Sequence, residues 1–185
     1  WSQEWRGPLR KAFSFLYEEA RRVFLEEIPR FTPADPHEIL RNFGTVGWSA
    51  AAKLDFARSY VFSQGPLKRA DLVRFFRLLE GQRYAMYMFT SCGWFFSEIS
   101  GIEPVQNMKY AYEVIKLYTP FFADPREISN TFTGILENAP SNLETFKNGA
   151  DIFELEVFRT SRGPEYLAGL LAVDHFAGTD GSVLR

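Results

Sequence analysis

The residues best suited to chemistry crowd into one stretch, Thr90 to Glu103. It holds a thiol (Cys92), a glycine break (Gly93), three consecutive rings (Trp94, Phe95, Phe96) and two carboxylates (Glu98, Glu103). Hydrolysis of a glycosidic bond needs two carboxyl groups about 5–9 Å apart, one as general acid and one as nucleophile or base. Glu98 and Glu103 are close enough in sequence to reach that spacing. Helix capping accounts for Ser100 and Glu103 as well, because Ser-x-x-Glu at a helix start satisfies two orphan amides. Neighbouring residues on a helix or extended chain point different ways, so three adjacent rings cannot share one core. At least one is expected to meet solvent, a partner or a ligand.

Nucleophilic catalysis by Cys92 is disfavoured. The thiol ends a helix instead of opening one, so it lacks the helix N-terminus that lowers a thiol pKa. Its one plausible base is His175, and Val173-Asp174-His175-Phe176 reads as the setting of a packing histidine. His37 reads as an exposed first-turn residue. Two histidines and one cysteine cannot make an all-His/Cys tetrahedral zinc site. No metal and no cofactor is expected.

The elements that must position this stretch read as helices throughout. Leu9, Phe13, Leu16, Ala20, Val23 and Phe24 recur at helical spacing over 9–28, where Pro29 stops the run. Asp35-Pro36-His37-Glu38 and Asp124-Pro125-Arg126-Glu127 each offer a capping acid, a proline for the first helical position and an acid two residues on. Ser100–Glu103 and Ser141–Glu144 read as further capping boxes. The resulting map has helices over 36–43, 49–62, 69–92, 103–118, 125–138, 148–159 and 164–177 after the first. No period-two alternation or Asn-Gly hairpin appears. The expectation is an all-α bundle of about six to seven helices, with a long central buried helix over about 69–92. On it, Gln82 and Arg83 fall among apolar residues, so each needs a polar partner. Glu98 or Glu103, returning after Gly93, is the expected partner of Arg83.

Composition sets the outer limits. The chain has 185 residues, with Lys plus Arg 21 and Asp plus Glu 23, for a net charge of −2. That balance argues against a general nucleic-acid binder, which needs a basic face. Hydrophobic residues make up 46% and charged ones 24%, the mixture of a folded protein. The longest apolar run, Leu167 to Val173, is far below the ~18 residues of a membrane helix. A single cysteine and no leader pattern point to a reducing, cytoplasmic setting. The chain opens on Trp1, and 1–185 reads as one helical domain cut from a larger protein. Aromatic residues reach 17%, 19 of them Phe, either as a thick core or as a platform for a flat ligand.

The block from Leu79-Glu80-Gly81-Gln82-Arg83-Tyr84 through Cys92-Gly93-Trp94-Phe95-Phe96-Ser97-Glu98 to Gly101-Ile102-Glu103 resembles the hallmark of a helical domain of unknown function. That domain lies C-terminal to the catalytic domain in family-57 glycoside hydrolase-like (α-amylase/α-mannosidase-like) proteins. Leu9–Phe24, Ala139–Leu143 with Gly149–Phe153, and Leu170–Phe176 are similar to further parts of it. The family usually carries an acid directly after Trp-Phe-Phe, where this chain has Ser97. The resemblance implies a helical accessory domain beside a catalytic barrel domain of the same parent chain, itself not catalytic. It also implies an α-glucan or other oligosaccharide groove, with Trp94, Phe95, Glu98 and Arg83 touching sugar and Gln82, Ser100, Glu103 and His175 supporting them. The competing expectation is a protein-interaction or structural module whose aromatic loop docks on a neighbouring domain or subunit.

Overall fold

A computed structural model describes residues 1–46, 49–61 and 69–162. Among these residues there are seven α-helices and no strand. They are α1 (Arg6–Glu27), α2 (Pro36–Phe43), α3 (Ala50–Tyr60), α4 (Arg69–Tyr87), α5 (Ile102–Tyr118), α6 (Pro125–Leu136) and α7 (Gly149–Ile152). The chain runs on from α7 as a π-helical turn, Phe153–Phe158. None of these helices is long and apolar enough to cross a membrane. The expected helix over 164–177, with His175, lies outside the described residues.

Proline starts work as their chemistry dictates. Asp35 accepts from the amide of His37, and Asp124 accepts from those of Arg126 and Glu127. Each proline takes the first helical position, where no amide is needed. The other two capping boxes fail. Helix α5 is preceded by Gly101 without a side-chain cap, and no helix starts at Ser141. The Ser141 hydroxyl serves a carboxylate more than forty residues away, and the next helix waits for Asn148, which accepts from Ala150 and Asp151.

Helix α1 buries Leu9, Ala12, Phe13, Leu16, Ala20, Val23 and Phe24 along one stripe, packed against α4, α5 and α6. The most extensive helix pairing is α4 with α5. It is close because of Gly81: a Cβ there would stand 2.0 Å from Cε2 of Tyr118. The Tyr118 hydroxyl donates to the Leu78 carbonyl at 2.9 Å and accepts from Gln82 Nε2 at 2.7 Å. Gln82 thus has the buried partner its position demands. Burial pushes the Tyr118 phenol far above its ordinary pKa, so it stays a donor at every physiological pH.

The central helix is shorter than 69–92. It ends at Tyr87, where the amides of Phe89 and Thr90 tighten onto the carbonyls of Met86 and Tyr87. The side chain of Asn107 on α5 then takes the Thr90 carbonyl. Met86 is 59% exposed while Ala85 is fully buried, so the apolar arc narrows toward the end of the helix.

Gly81→Ala is expected to destabilise the fold by about 1–3 kcal/mol, the usual cost of overpacking a filled core. Tyr118→Phe should cost about 1–3 kcal/mol by leaving the Gln82 amide without an acceptor. Urea unfolding of both variants checks the pair; wild-type stability in either would refute this packing.

Candidate functional site

Two turns of chain hold the aromatic segment in place. Ser91–Trp94 forms a 3₁₀ turn against α5, and Gly93 lies so close that a Cβ would stand 2.1 Å from Asn107 Nδ2. Asn107, 1% exposed, accepts from the Thr90 hydroxyl at 2.7 Å and donates to the Thr90 carbonyl at 3.1 Å. The turn is fixed at its base, which sets the direction of every ring that follows.

The three rings part company. Trp94 turns inward, stacked on Trp5 at 6.5 Å and edge-on to Phe13 at 5.9 Å, with the Arg10 guanidinium over it. Phe95 and Phe96 turn outward, 83% and 50% exposed, and lie edge to face at 6.3 Å. Their carbonyls both accept from Arg6 Nη2. The Trp94 Nε1 and Arg6 Nε groups are buried without an acceptor among the described residues. Each carries a cost of about 1–3 kcal/mol that the ring packing must offset.

Glu98 is buried, and both of its oxygens are occupied. Oε1 accepts from the Ser141 hydroxyl at 2.7 Å and the Ser100 amide at 3.2 Å; Oε2 accepts from the Asn142 amide at 2.8 Å. Asn142 continues the tie. Its Oδ1 accepts from the Ser2 amide, and its Nδ2 donates to the carbonyls of Ser2 and Ser97. Trp5 Nε1 also donates to the Ser97 carbonyl. Three segments distant in sequence (residues 1–6, 95–100 and 141–143) are therefore joined at two side chains. Around the joint stand Trp1, Phe95, Phe96 and Leu143, with exposures of 79%, 83%, 50% and 38%.

The expected Arg83–Glu98 pairing does not form. Arg83 lies beside Glu80 at 3.2 Å and donates to the carbonyls of Phe43 and Val46. Its guanidinium covers the Phe43 ring at 4.3 Å. It closes the end of α2 against α4, and Glu80 is held in turn by Lys53 at 2.6 Å. Glu103 lies in the first turn of α5, where an acid suits the helix dipole. Ser100 contributes its amide to Glu98. Cys92 is exposed on the 3₁₀ turn. Among the described residues no group of three His, Cys, Asp or Glu is arranged to hold a metal ion.

Of the residues expected to touch sugar, Phe95 meets solvent, Trp94 is partly covered, and Glu98 and Arg83 are spent on internal partners. A carboxylate with both oxygens occupied makes a poor general acid or base. Asn142, Arg6 and Asn107 hold the loop and carried no local chemical signal beyond the Ser141-Asn142 turn.

Burial raises the Glu98 pKa, but the bonds from Ser141, Asn142 and Ser100 together outweigh it and hold the carboxyl below its ordinary range. The stabilisation is therefore complete above the unfolded value of about 4.3 and is lost as pH falls through the lower folded value. Glu98→Gln should lose about 2 kcal/mol at neutral pH, as expected for bonds to a charged acceptor. It should also flatten the fall in stability on acidification below about pH 4.3. Thermal melts of both proteins across that range test this, and an unchanged acid limb would refute it.

No curated protein and no solved structure matches the chain, whereas a family model described as a domain of unknown function (DUF3536) matches residues 1–179. The match spans nearly the whole chain, so the chain belongs to the DUF3536 family.

Proposed function

We propose that this chain is a helical accessory module that docks on a neighbouring domain through the face around Asn142. The observation that carries this reading is Phe95, 83% exposed on a loop that Glu98, Asn107 and Arg6 hold still. An apolar ring on a mobile loop can fold back on itself. One on a fixed loop remains in water until a partner covers it, and exposed apolar patches of this kind mark contact surfaces. Trp1, Phe96 and Leu143 add exposed apolar surface on the same joined segments.

The resemblance to the region following the catalytic domain of family-57-like glycoside hydrolases supplies the partner class: a barrel domain of the same parent chain. Ser2 is bonded to Asn142 in both directions. Residues 2 and 6 are therefore tied into the aromatic face. In this reading the module lends shape and stability to a hydrolase and carries no acid–base chemistry of its own.

Substituting Phe95→Ser or Phe96→Ser should weaken association by about tenfold or more, since a buried phenyl contributes about 1.5–3 kcal/mol. Association is read by sedimentation of this chain with its neighbouring domain, and thermal stability should be unchanged because neither ring supports the core. Tryptophan fluorescence should not respond to maltooligosaccharides. Unchanged association in both variants would overturn the docking reading. Glucan quenching lost in Trp94→Ala would transfer the site to sugar recognition.

A further inference from the structure

A concavity of about 490 Å³ opens between α5, α6 and the π-helical turn. One wall is aromatic. The rings of Phe153 and Phe158 meet Tyr112 edge-on at 6.1 and 5.8 Å. The π turn makes this possible. In an α-helix two residues five apart diverge by about 140° around the axis. The wider turn, closed by the Arg159 amide on the Glu154 carbonyl, instead brings both phenyls to one side. Such turns are rare and recur at functional sites.

The facing wall is made of oxygen acceptors. The hydroxyls of Thr119, Ser129 and Thr133 each donate to a carbonyl one turn back in their own helix, at 2.7, 3.0 and 3.0 Å. Their protons are spent, so the cleft meets lone pairs. The side-chain amide of Asn130 and the Tyr112 hydroxyl, both lining the cleft, make no hydrogen bond among the described residues. The charges at the rim are matched: Lys116 with Glu113 at 2.7 Å, and Glu154 with Arg159 at 3.0 Å. An ionic ligand would have to compete with those pairs, whereas a neutral one would not.

We propose that this cleft binds a neutral hydroxylated ring, either a cyclic polyol or a single sugar ring. The C–H face of such a ring suits the open part of the Tyr112 and Phe158 wall, beside the Lys116 ammonium that lies 5.3 Å from the Tyr112 ring centre, and its hydroxyls donate to Thr119, Ser129 and Thr133. Asn130 offers both a donor and an acceptor. This site is independent of the docking face, and either can fail without the other.

Saturation-transfer NMR on the intact chain tests it, with myo-inositol and D-glucose as neutral probes and D-glucuronate as the charged comparison. One neutral probe or both should bind at millimolar concentration, with saturation strongest on the ring C–H protons and with D-glucuronate weaker. Phe158→Ala and Asn130→Ala should each weaken binding by about tenfold, the equivalent of one contact or hydrogen bond. Asn130 is exposed on α6, so its substitution leaves the core intact. Failure of both neutral probes to bind, or binding equal in wild type and Asn130→Ala, would overturn the proposal.

Discussion

The arrangement of the aromatic face depends on one nearly buried carboxylate. A charge taken out of water is tolerated only where donors replace its hydration, and Glu98 has three of them, from Ser100, Ser141 and Asn142. Two of the three come from a turn more than forty residues away. The charge therefore holds the 95–100 loop and the 141–143 turn in one register, and Asn142 adds the first residues of the chain to it. With the loop ends fixed, the directions of Trp94, Phe95 and Phe96 follow from backbone geometry. One ring completes the inner stack with Trp5 and Phe13, and the next two face out. The outward pair thus follows from holding Trp94 in the core.

Helix α5 links this knot to the rest of the molecule. Near its start Asn107 anchors the 3₁₀ turn, and at its end Tyr118 lies across Gly81 and binds α4. Between them Tyr112 and Lys116 stand on the side that meets α6 and the π turn. Three faces of one helix therefore carry the loop, the core and the cleft. Helix α1 fills the remaining space with a continuous apolar stripe. The high phenylalanine content is used mainly in this interior, while Phe95 and Phe96 stand outside it.

What the sequence discloses depends on the range of the interaction. The starts at Pro36 and Pro125 are legible because cap, proline and amides lie within four residues. The apolar stripe of α1 and the all-α class follow from spacing alone, and the need of Gln82 for a buried partner follows from its place in an apolar arc. The misread features all depend on distant partners. Ser141 looks like a cap until Glu98 claims its hydroxyl. Arg83 looks like the mate of Glu98 or Glu103, but Glu80 and the carbonyls of Phe43 and Val46, some forty positions earlier, take its donors. Helix α4 looks longer than it is because Asn107, which receives Thr90, lies on another helix. The π turn has no periodic signature that separates it from an ordinary helix over 148–159.

The most direct test of the Glu98–Asn142 tie is native-state hydrogen exchange at the amides of Ser100 and Asn142. Both donate to one carboxylate, so they should be protected to a similar degree at neutral pH and lose protection together when the carboxyl protonates. Exchange at the rate of an unstructured loop at either amide, or protection indifferent to acid, would contradict the account.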